Sequence, residues 1–355
     1  MPQAITFAGL SDQPDEFLSV QQYEIPKPGV GEVLVRMLAA PINQQDIMVL
    51  AGRYPVKPDH HQGGDPIPGY DGVAEILECG DGVTGLHAGD RVIPKRHGLG
   101  TWRTHAALRE SSLIRVSSTV DPTFAASMRM CVAPAYLLLE DMAKLKPGDW
   151  IIQNAASGYI GRMTCQFARL RGVHTISIIR DRADAGLADH LKAKLRDLGA
   201  DIVLTDSELS DMESLGKGKR IMLALDAVFG PLAAKMAAHL SPNATFVNYG
   251  SLGVEGRSGF FKMTQDLIFW KQITFRHFRL SACLATRSEE EIQDMLNWFV
   301  RLVEDGVLKV TDVDIVPWDS HAADADAEVR LRRAIAKAGA RRVNESKKQM
   351  LWFSY

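Results

Sequence analysis

Two arginines, Arg180 and Arg182, close a stretch whose chemistry is anion binding. Residues 151–182 read IIQNAASGYIGRMTCQFARLRGVHTISIIRDR. Trp150 to Gln153 is a short apolar run, the pattern of a strand, and Asn154 to Gly161 is a turn of small residues. Arg162 to Arg171 spaces Met163, Phe167 and Leu170 as a helix does, and Val173 to Ile179 is apolar and β-branched, a second strand. A β-turn-α-β unit of this kind holds a dinucleotide. Backbone N–H groups of such a turn approach a pyrophosphate at a helix N-terminus, where the dipole favours anions. The position after the second strand usually carries an acid when the cofactor is NAD, whereas arginine suits the 2′-phosphate of NADPH. The turn is Ala155-Ala156-Ser157-Gly158-Tyr159-Ile160-Gly161 rather than a strict GxGxxG, so its strand-turn-helix-strand setting carries the assignment. The plainer reading of Arg180 and Arg182 is a solvated strand end.

The elements that must position this unit follow from the rest of the chain. Residues 1–117 contain short strand-like runs (Glu32 to Met37, Gly72 to Glu78, Asp90 to Ile93, Ser112 to Val116) broken by Gly and Pro turns, a β-rich domain of barrel-like character. Phe124 to Leu145 is helical in pattern and ends at Lys146-Pro147-Gly148-Asp149. Helix Leu187 to Leu198, strand Asp201 to Leu204, strand Arg220 to Asp226, helix Pro231 to Leu240 and strand Thr245 to Tyr249 then alternate, which predicts an α/β, doubly wound parallel sheet. The tail adds helix Glu289 to Glu304, strand Asp312 to Val316, helix Asp324 to Ala338 and strand Lys348 to Phe353. The expected organisation is discontinuous: a catalytic domain from residues 1–117 and 286–355, and a Rossmann-type dinucleotide domain from residues 118–285. Leu267 to Ser281 reads as a long strand at a sheet edge, an element that invites pairing with a symmetry mate.

At 355 residues the chain is long enough for two domains, and its net charge of −2 argues against a nucleic-acid partner. No apolar run is long enough to span a bilayer. A strand-like run, Ala4 to Phe7, followed by Asp12, Asp15 and Glu16 resembles neither a secretory signal nor a basic transit peptide. The expected setting is cytoplasmic as the sequence stands, or mitochondrial if a cleaved presequence precedes it. Cys79, Cys131, Cys165 and Cys283 are scattered, which suits a reducing compartment and offers no disulfide framework. His60 and His61 lack further ligands nearby, so no metal site is expected.

Several segments carry a family likeness: Pro41-Ile42-Asn43-Gln44-Gln45-Asp46-Ile47, Ala51-Gly52-Arg53-Tyr54-Pro55, Gly98-Leu99-Gly100-Thr101-Trp102-Arg103-Thr104, Ile152-Gln153-Asn154-Ala155, Ile179-Arg180-Asp181-Arg182, Tyr249-Gly250 and Ser346-Lys347-Lys348-Gln349-Met350-Leu351. Through them the chain resembles the medium-chain dehydrogenase/reductase superfamily across nearly its whole length. Within it, the likeness is to the zinc-free trans-2-enoyl-thioester reductases of mitochondrial fatty-acid synthesis. The resemblance implies a GroES-like catalytic domain, a homodimer paired along the sheet edge, and NADPH-dependent reduction of a 2-enoyl thioester. The zinc branches carry a Gly-His-Glu segment where this chain has Gly69-Tyr70-Asp71. Two further departures stand out. Cys131-Val132-Ala133-Pro134-Ala135-Tyr136 replaces the reductases' Asn-Pro-x-Thr-Ala before the tyrosine, and Tyr70 replaces the Asn of their Gly-Asn-Glu-Gly, a bulky ring where an acyl chain passes. These changes keep open a quinone or enone reductase acting on free small molecules. A non-enzymatic, crystallin-like or regulatory NADPH-binding protein is a third reading.

By the same resemblance, Tyr54 donates the proton or fixes the developing enolate, with a half-buried loop aromatic as its plainer reading. Trp102 lines the site or braces the loop carrying Tyr54, or simply packs the core. Asn43, Tyr70 and Tyr136 fall at substrate-lining positions. Asn154, Ser157, Gly158, Tyr159, Ile160 and Gly161 cradle the pyrophosphate, and Arg180 and Arg182 clamp the 2′-phosphate, since guanidinium forks match phosphate oxygens. Lys348 adds a second cation, or is an exposed tail lysine, and Tyr249, Phe278 and Leu280 approach the nicotinamide half.

Overall fold

The computed structural model describes residues 1–11, 17–212, 214–252, 260–319, 325–339 and 347–355. Asp12, Asp15, Glu16, Asp324 and Ser346, which entered the sequence reading, lie outside the described residues. The chain divides into two units, Met1–Met130 with Glu289–Tyr355, and Cys131–Ser288. The first unit opens with β1 (Gln3–Phe7), β2 (Leu18–Gln22), β3 (Glu32–Pro41), α1 (Gln44–Leu50), β4 (His61–Gln62), β5 (Asp65–Pro66) and β6 (Val73–Cys79). It continues with β7 (Arg91–Pro94), β8 (His105–Arg109), β9 (Leu113–Val116) and the single turn α2 (Pro122–Ala125). The second unit holds α3 (Ala133–Glu140), β10 (Trp150–Gln153), α4 (Tyr159–Leu170), β11 (His174–Ile179), α5 (Ala185–Asp197), β12 (Ile202–Thr205) and α6 (Asp206–Asp211). It ends with β13 (Ile221–Asp226), α7 (Pro231–Ala238), β14 (Thr245–Asn248), β15 (Thr274–His277) and α8 (Leu280–Ala285). The chain then returns to the first unit as α9 (Glu289–Glu304), β16 (Val313–Asp319), α10 (Ala325–Gly339) and β17 (Lys348–Ser354).

In the second unit six parallel strands lie in the order β12-β11-β10-β13-β14-β15. Their near-continuous apolar sequences follow from burial on both faces; Ile152, Ile176 and Ala224 stand side by side and are all inaccessible. The strand order reverses between β10 and β13, and the crevice outside the carboxyl ends of such a pair is where doubly wound sheets bind ligands. In the first unit β16-β17-β3-β6-β7-β9 form one sheet, with β8 also paired to β3 and β1-β2 as a separate hairpin. Ile5, Val35, Ile76, Leu99, Trp102, Ile335 and Leu351 belong to one buried core there, so residues from both ends of the chain build it.

Three expectations change. The break between units falls at Met130 rather than at residue 117, because α2 packs on β3 and β6 and buries Phe124 completely. Phe124 to Leu145 is not one helix: Pro122 and Pro134 each sit in the first turn of a new helix, where the missing N–H is harmless, and a π-helical turn (Met128–Val132) lies between them. Leu267 to Ser281 is not one long strand. A π-helical turn (Asp266–Trp270) buries Leu267 and leaves Ile268, Phe269 and Trp270 exposed, the four-residue β15 follows, and α8 takes the rest. That short strand does form the sheet edge.

Candidate active site

In the first unit the site is built around the N-terminus of α1. Asn43 is its N-cap, in extended backbone, and its N–H donates to Asp46 Oδ2 at 2.7 Å. The other carboxylate oxygen of Asp46 accepts from Tyr70 N at 3.1 Å. Asp46 is fully buried, and that burial pushes its carboxyl up to about 7, against the opposing pull of these N–H donors and of Lys348. Lys348 Nζ donates to Asn43 Oδ1. Asp71 is equally buried and is likewise pushed up to about 7; its Oδ2 accepts from Met130 N at 3.2 Å, and the Arg129 charge opposes the shift.

Tyr54 lies on the loop leaving α1, which is held where Arg53 N and Tyr54 N both donate to Met48 O. Its ring is half-buried, 5.9 Å from the Tyr70 ring and 6.2 Å from the His97 ring, and Tyr70 and His97 meet edge to face at 5.8 Å. The Tyr70 hydroxyl donates to Val56 O, which pins the same loop. The Gly98-to-Thr104 segment supports this cluster from below. Gly98 and Gly100 take left-handed φ of 91° and 62°, which Gly adopts without strain. Thr101 Oγ1 donates to Asp71 O at 2.6 Å, and Trp102, completely buried, spends its indole N–H on Pro41 O at 3.3 Å.

In the second unit Gly158 starts α4 in extended backbone with no side-chain cap, and the first N–H groups of a helix, which have no partner within it, favour anions. A Cβ at Gly161 would lie 2.6 Å from Ala156 Cα; the helix therefore packs directly on the turn. Gln153 Nε2 donates to Gly161 O and to Ser177 Oγ, each at 3.1 Å, fixing that first turn to the sheet. Arg180 and Arg182 follow β11, close enough that burial and the neighbouring Arg182 charge lower the Arg180 pKa. Among the described residues neither forms an ion pair with a carboxylate. Asp181, between them, turns its carboxylate to Ser207, and that hydrogen bond lowers its pKa. An uncapped helix N-terminus, a glycine-tight turn and two guanidinium groups without a carboxylate ion pair, one of them (Arg182) donating to Arg180 O and Asp181 O, fit a dinucleotide carrying a 2′-phosphate.

An alcohol dehydrogenase GroES-like domain matches residues 29–118. The mitochondrial enoyl-[acyl-carrier-protein] reductase of Rattus norvegicus is 33% identical over 331 residues, which cover 92% of this chain and 86% of the rat protein. The chain belongs to the enoyl-[acyl-carrier-protein] reductase family. Two solved structures of similar proteins align with this reductase over 99% of both chains, each with a TM-score of 0.86: the Etr1p/NADP/crotonyl-CoA complex, 26% identical, and the mitochondrial 2-enoyl thioester reductase Etr1p/Etr2p heterodimer from Candida tropicalis, 27% identical.

Several expected roles change in this enoyl reductase. Trp102 braces the core and has no N–H to offer a ligand. Asn154 is sealed: its Nδ2 donates to Asp226 Oδ1 at 2.6 Å and its Oδ1 accepts from Ala227 N at 2.8 Å, so it ties β10 to β13 instead of contacting a cofactor. Asn248 Nδ2 donates to Asp226 Oδ2 at 2.9 Å, extending the tie to β14. Lys348 hydrogen-bonds Asn43, and its charge acts on the buried Asp46. Tyr136 packs its ring on Phe167, centroids 5.7 Å apart. Tyr70 is inaccessible, under the Tyr54 loop instead of in an open acyl path. Tyr249, Phe278 and Leu280 do gather at the carboxyl ends of β14 and β15, where Phe278 N donates to Asn248 O and Tyr249 N to Asp226 O. Sequence reasoning missed Asp46, Asp71, His97 and Arg129. Asp46 stands three residues after Asn43, a capping-box spacing that could have marked it; Asp71, His97 and Arg129 have no diagnostic spacing, and only the fold gathers them. Among the described residues no group of three His, Cys, Asp or Glu side chains is placed to hold a metal ion.

Proposed function

We propose that this protein reduces the C2=C3 double bond of a 2-enoyl thioester, coenzyme A- or carrier-protein-bound, with NADPH. One observation carries the reading: the chain aligns over 99% of its length with an enoyl thioester reductase whose structure holds both NADP and crotonyl-CoA. NADPH, when bound, supplies the hydride to Cβ. The N–H groups from Ser157 to Gly161 hold the pyrophosphate, and Arg180 and Arg182 hold the 2′-phosphate. Tyr54 donates the proton that ends at Cα, or holds the enolate oxygen until water supplies it; a phenol remains a donor at neutral pH. Asp46 and the Tyr70 hydroxyl position Tyr54 through α1 and its loop.

We further place this chain in a dimer built on the β15 edge, beside the exposed Ile268, Phe269 and Trp270. Trp270→Glu is expected to shift the chain to monomer in sedimentation. The named relatives are mitochondrial proteins, and the same setting is proposed here. The deciding assay follows NADPH oxidation with crotonyl-CoA and, separately, with a free quinone. Turnover of crotonyl-CoA is expected. Turnover of the quinone alone would replace the thioester reading with the free-enone one.

A further inference from the structure

We propose that His97 is a second hydrogen-bond donor beside Tyr54, its Nε2–H and the Tyr54 hydroxyl together receiving the thioester carbonyl oxygen as it takes on enolate charge. The inference rests on the enoyl-thioester reading above. Arg129 is a buried cation on the π-helical turn Met128–Val132. Its Nε donates to Lys95 O at 3.1 Å, and its Nη2 lies 3.3 Å from His97 Nδ1. A guanidinium has donors only, so Nδ1 must accept, and the ring proton is assigned to Nε2. Burial and the Arg129 charge push the His97 pKa down to about 4, so the ring is neutral at physiological pH. The result is one N–H donor in a fixed tautomer. Among the described residues Nε2 has no protein partner, while the same ring packs against Tyr54 and Tyr70.

The reaction gives such a donor a task. Hydride arrival at Cβ moves the C2=C3 pair into a C1=C2 bond and the carbonyl pair onto oxygen; protonation at C2 reverses that shift and regenerates the carbonyl. Donors placed where charge develops act on the transition state more than on the ground state. A neutral imidazole serves without being an acid that competes with Tyr54. The His97 and Tyr54 ring centroids are 6.2 Å apart, so the two donors are carried on neighbouring side chains.

The test uses the full chain with NADPH and crotonyl-CoA. His97→Leu keeps apolar volume and removes the donor; His97→Gln keeps an N–H at similar reach. His97→Leu is expected to lower kcat/KM by about 10- to 100-fold, mostly through kcat. NADPH affinity should stay near wild type, the unfolding temperature should fall because the buried Arg129 loses an acceptor, and His97→Gln, whose amide oxygen can accept from Arg129 while its N–H donates, should restore most of both losses. His97→Leu with wild-type kinetics would overturn the inference alone. Equal impairment of the Leu and Gln variants would make His97 a packing residue and also overturn it. A wild-type chain that does not oxidise NADPH with crotonyl-CoA would overturn the functional reading, and this inference with it.

Discussion

Gly161→Ala tests the cofactor turn with one methyl group. That methyl would sit 2.6 Å from Ala156 Cα and 2.7 Å from Ala156 O, both backbone atoms that no rotamer change can move. To reach the ordinary contact of 3.4 Å, α4 and the turn must part by about 0.8 Å. The Gln153–Gly161 hydrogen bond, 3.1 Å long, stretches with them. Overpacking of this kind costs roughly 1–3 kcal/mol of stability. The N–H groups that receive the pyrophosphate move with the helix, and weakening two charge-assisted hydrogen bonds costs about 1–2 kcal/mol, a five- to thirty-fold loss of NADPH affinity. Calorimetric titration of NADPH at fixed salt, paired with thermal unfolding, measures both. Gly158→Ala, whose Cβ would meet Ala155 O at 3.1 Å, is the milder comparison and should lose less. Wild-type affinity and unfolding temperature in Gly161→Ala would refute the tight turn as the phosphate cradle.

Arg180→Ala and Arg182→Ala should each weaken NADPH binding by roughly 1.5–3 kcal/mol while leaving NADH binding nearly unchanged, and equal loss for the two cofactors would remove the 2′-phosphate assignment. Tyr54→Phe keeps the ring that packs on Tyr70 and His97, so turnover should fall about 10²–10⁴-fold at constant NADPH affinity; a near-wild-type rate would hand proton delivery to water. Burial holds the Asp71 carboxyl at about 7, above its ordinary 3.8, so folding takes up a proton between those values and stability falls as pH rises through them. Asp71→Asn removes that slope, so its unfolding temperature relative to wild type should climb between about pH 5 and about pH 8, and a difference independent of pH would contradict the buried carboxyl.

The dinucleotide half of this protein was legible because its chemistry is local. Trp150 to Gln153, the small-residue turn and Arg180 follow one another in sequence, and the structure keeps them as β10, the uncapped start of α4 and the end of β11. The first unit was harder to read. Its strands are short, β2 and β8 carry no strong alternation, and α1 has only seven residues. Asp46 and Asp71 look like ordinary surface acids in sequence; 25 residues apart, they are buried together by the fold. Asn154 illustrates the opposite error: a motif residue in the right loop whose side chain is wholly spent on Asp226 and Ala227. Lys348 and Asn43 are 305 positions apart, and no spacing rule anticipates their contact.

That contact belongs to a strand with consequences for how the molecule is made. β17 lies between β16 and β3, pairing Leu351 with Ala40 on one side and with Val316 on the other, and the Tyr355 hydroxyl donates to Met37 O and Thr104 O. During synthesis β3 leaves the ribosome some three hundred residues before its neighbour exists. The contiguous second unit can fold in that interval, while β3 waits with an apolar, unpaired edge open to other chains. Loss of the last strand to a protease or a premature stop would therefore leave a cofactor-binding unit intact beside an aggregation-prone partner, and quality control would meet a protein that still takes up NADPH but cannot complete its catalytic half.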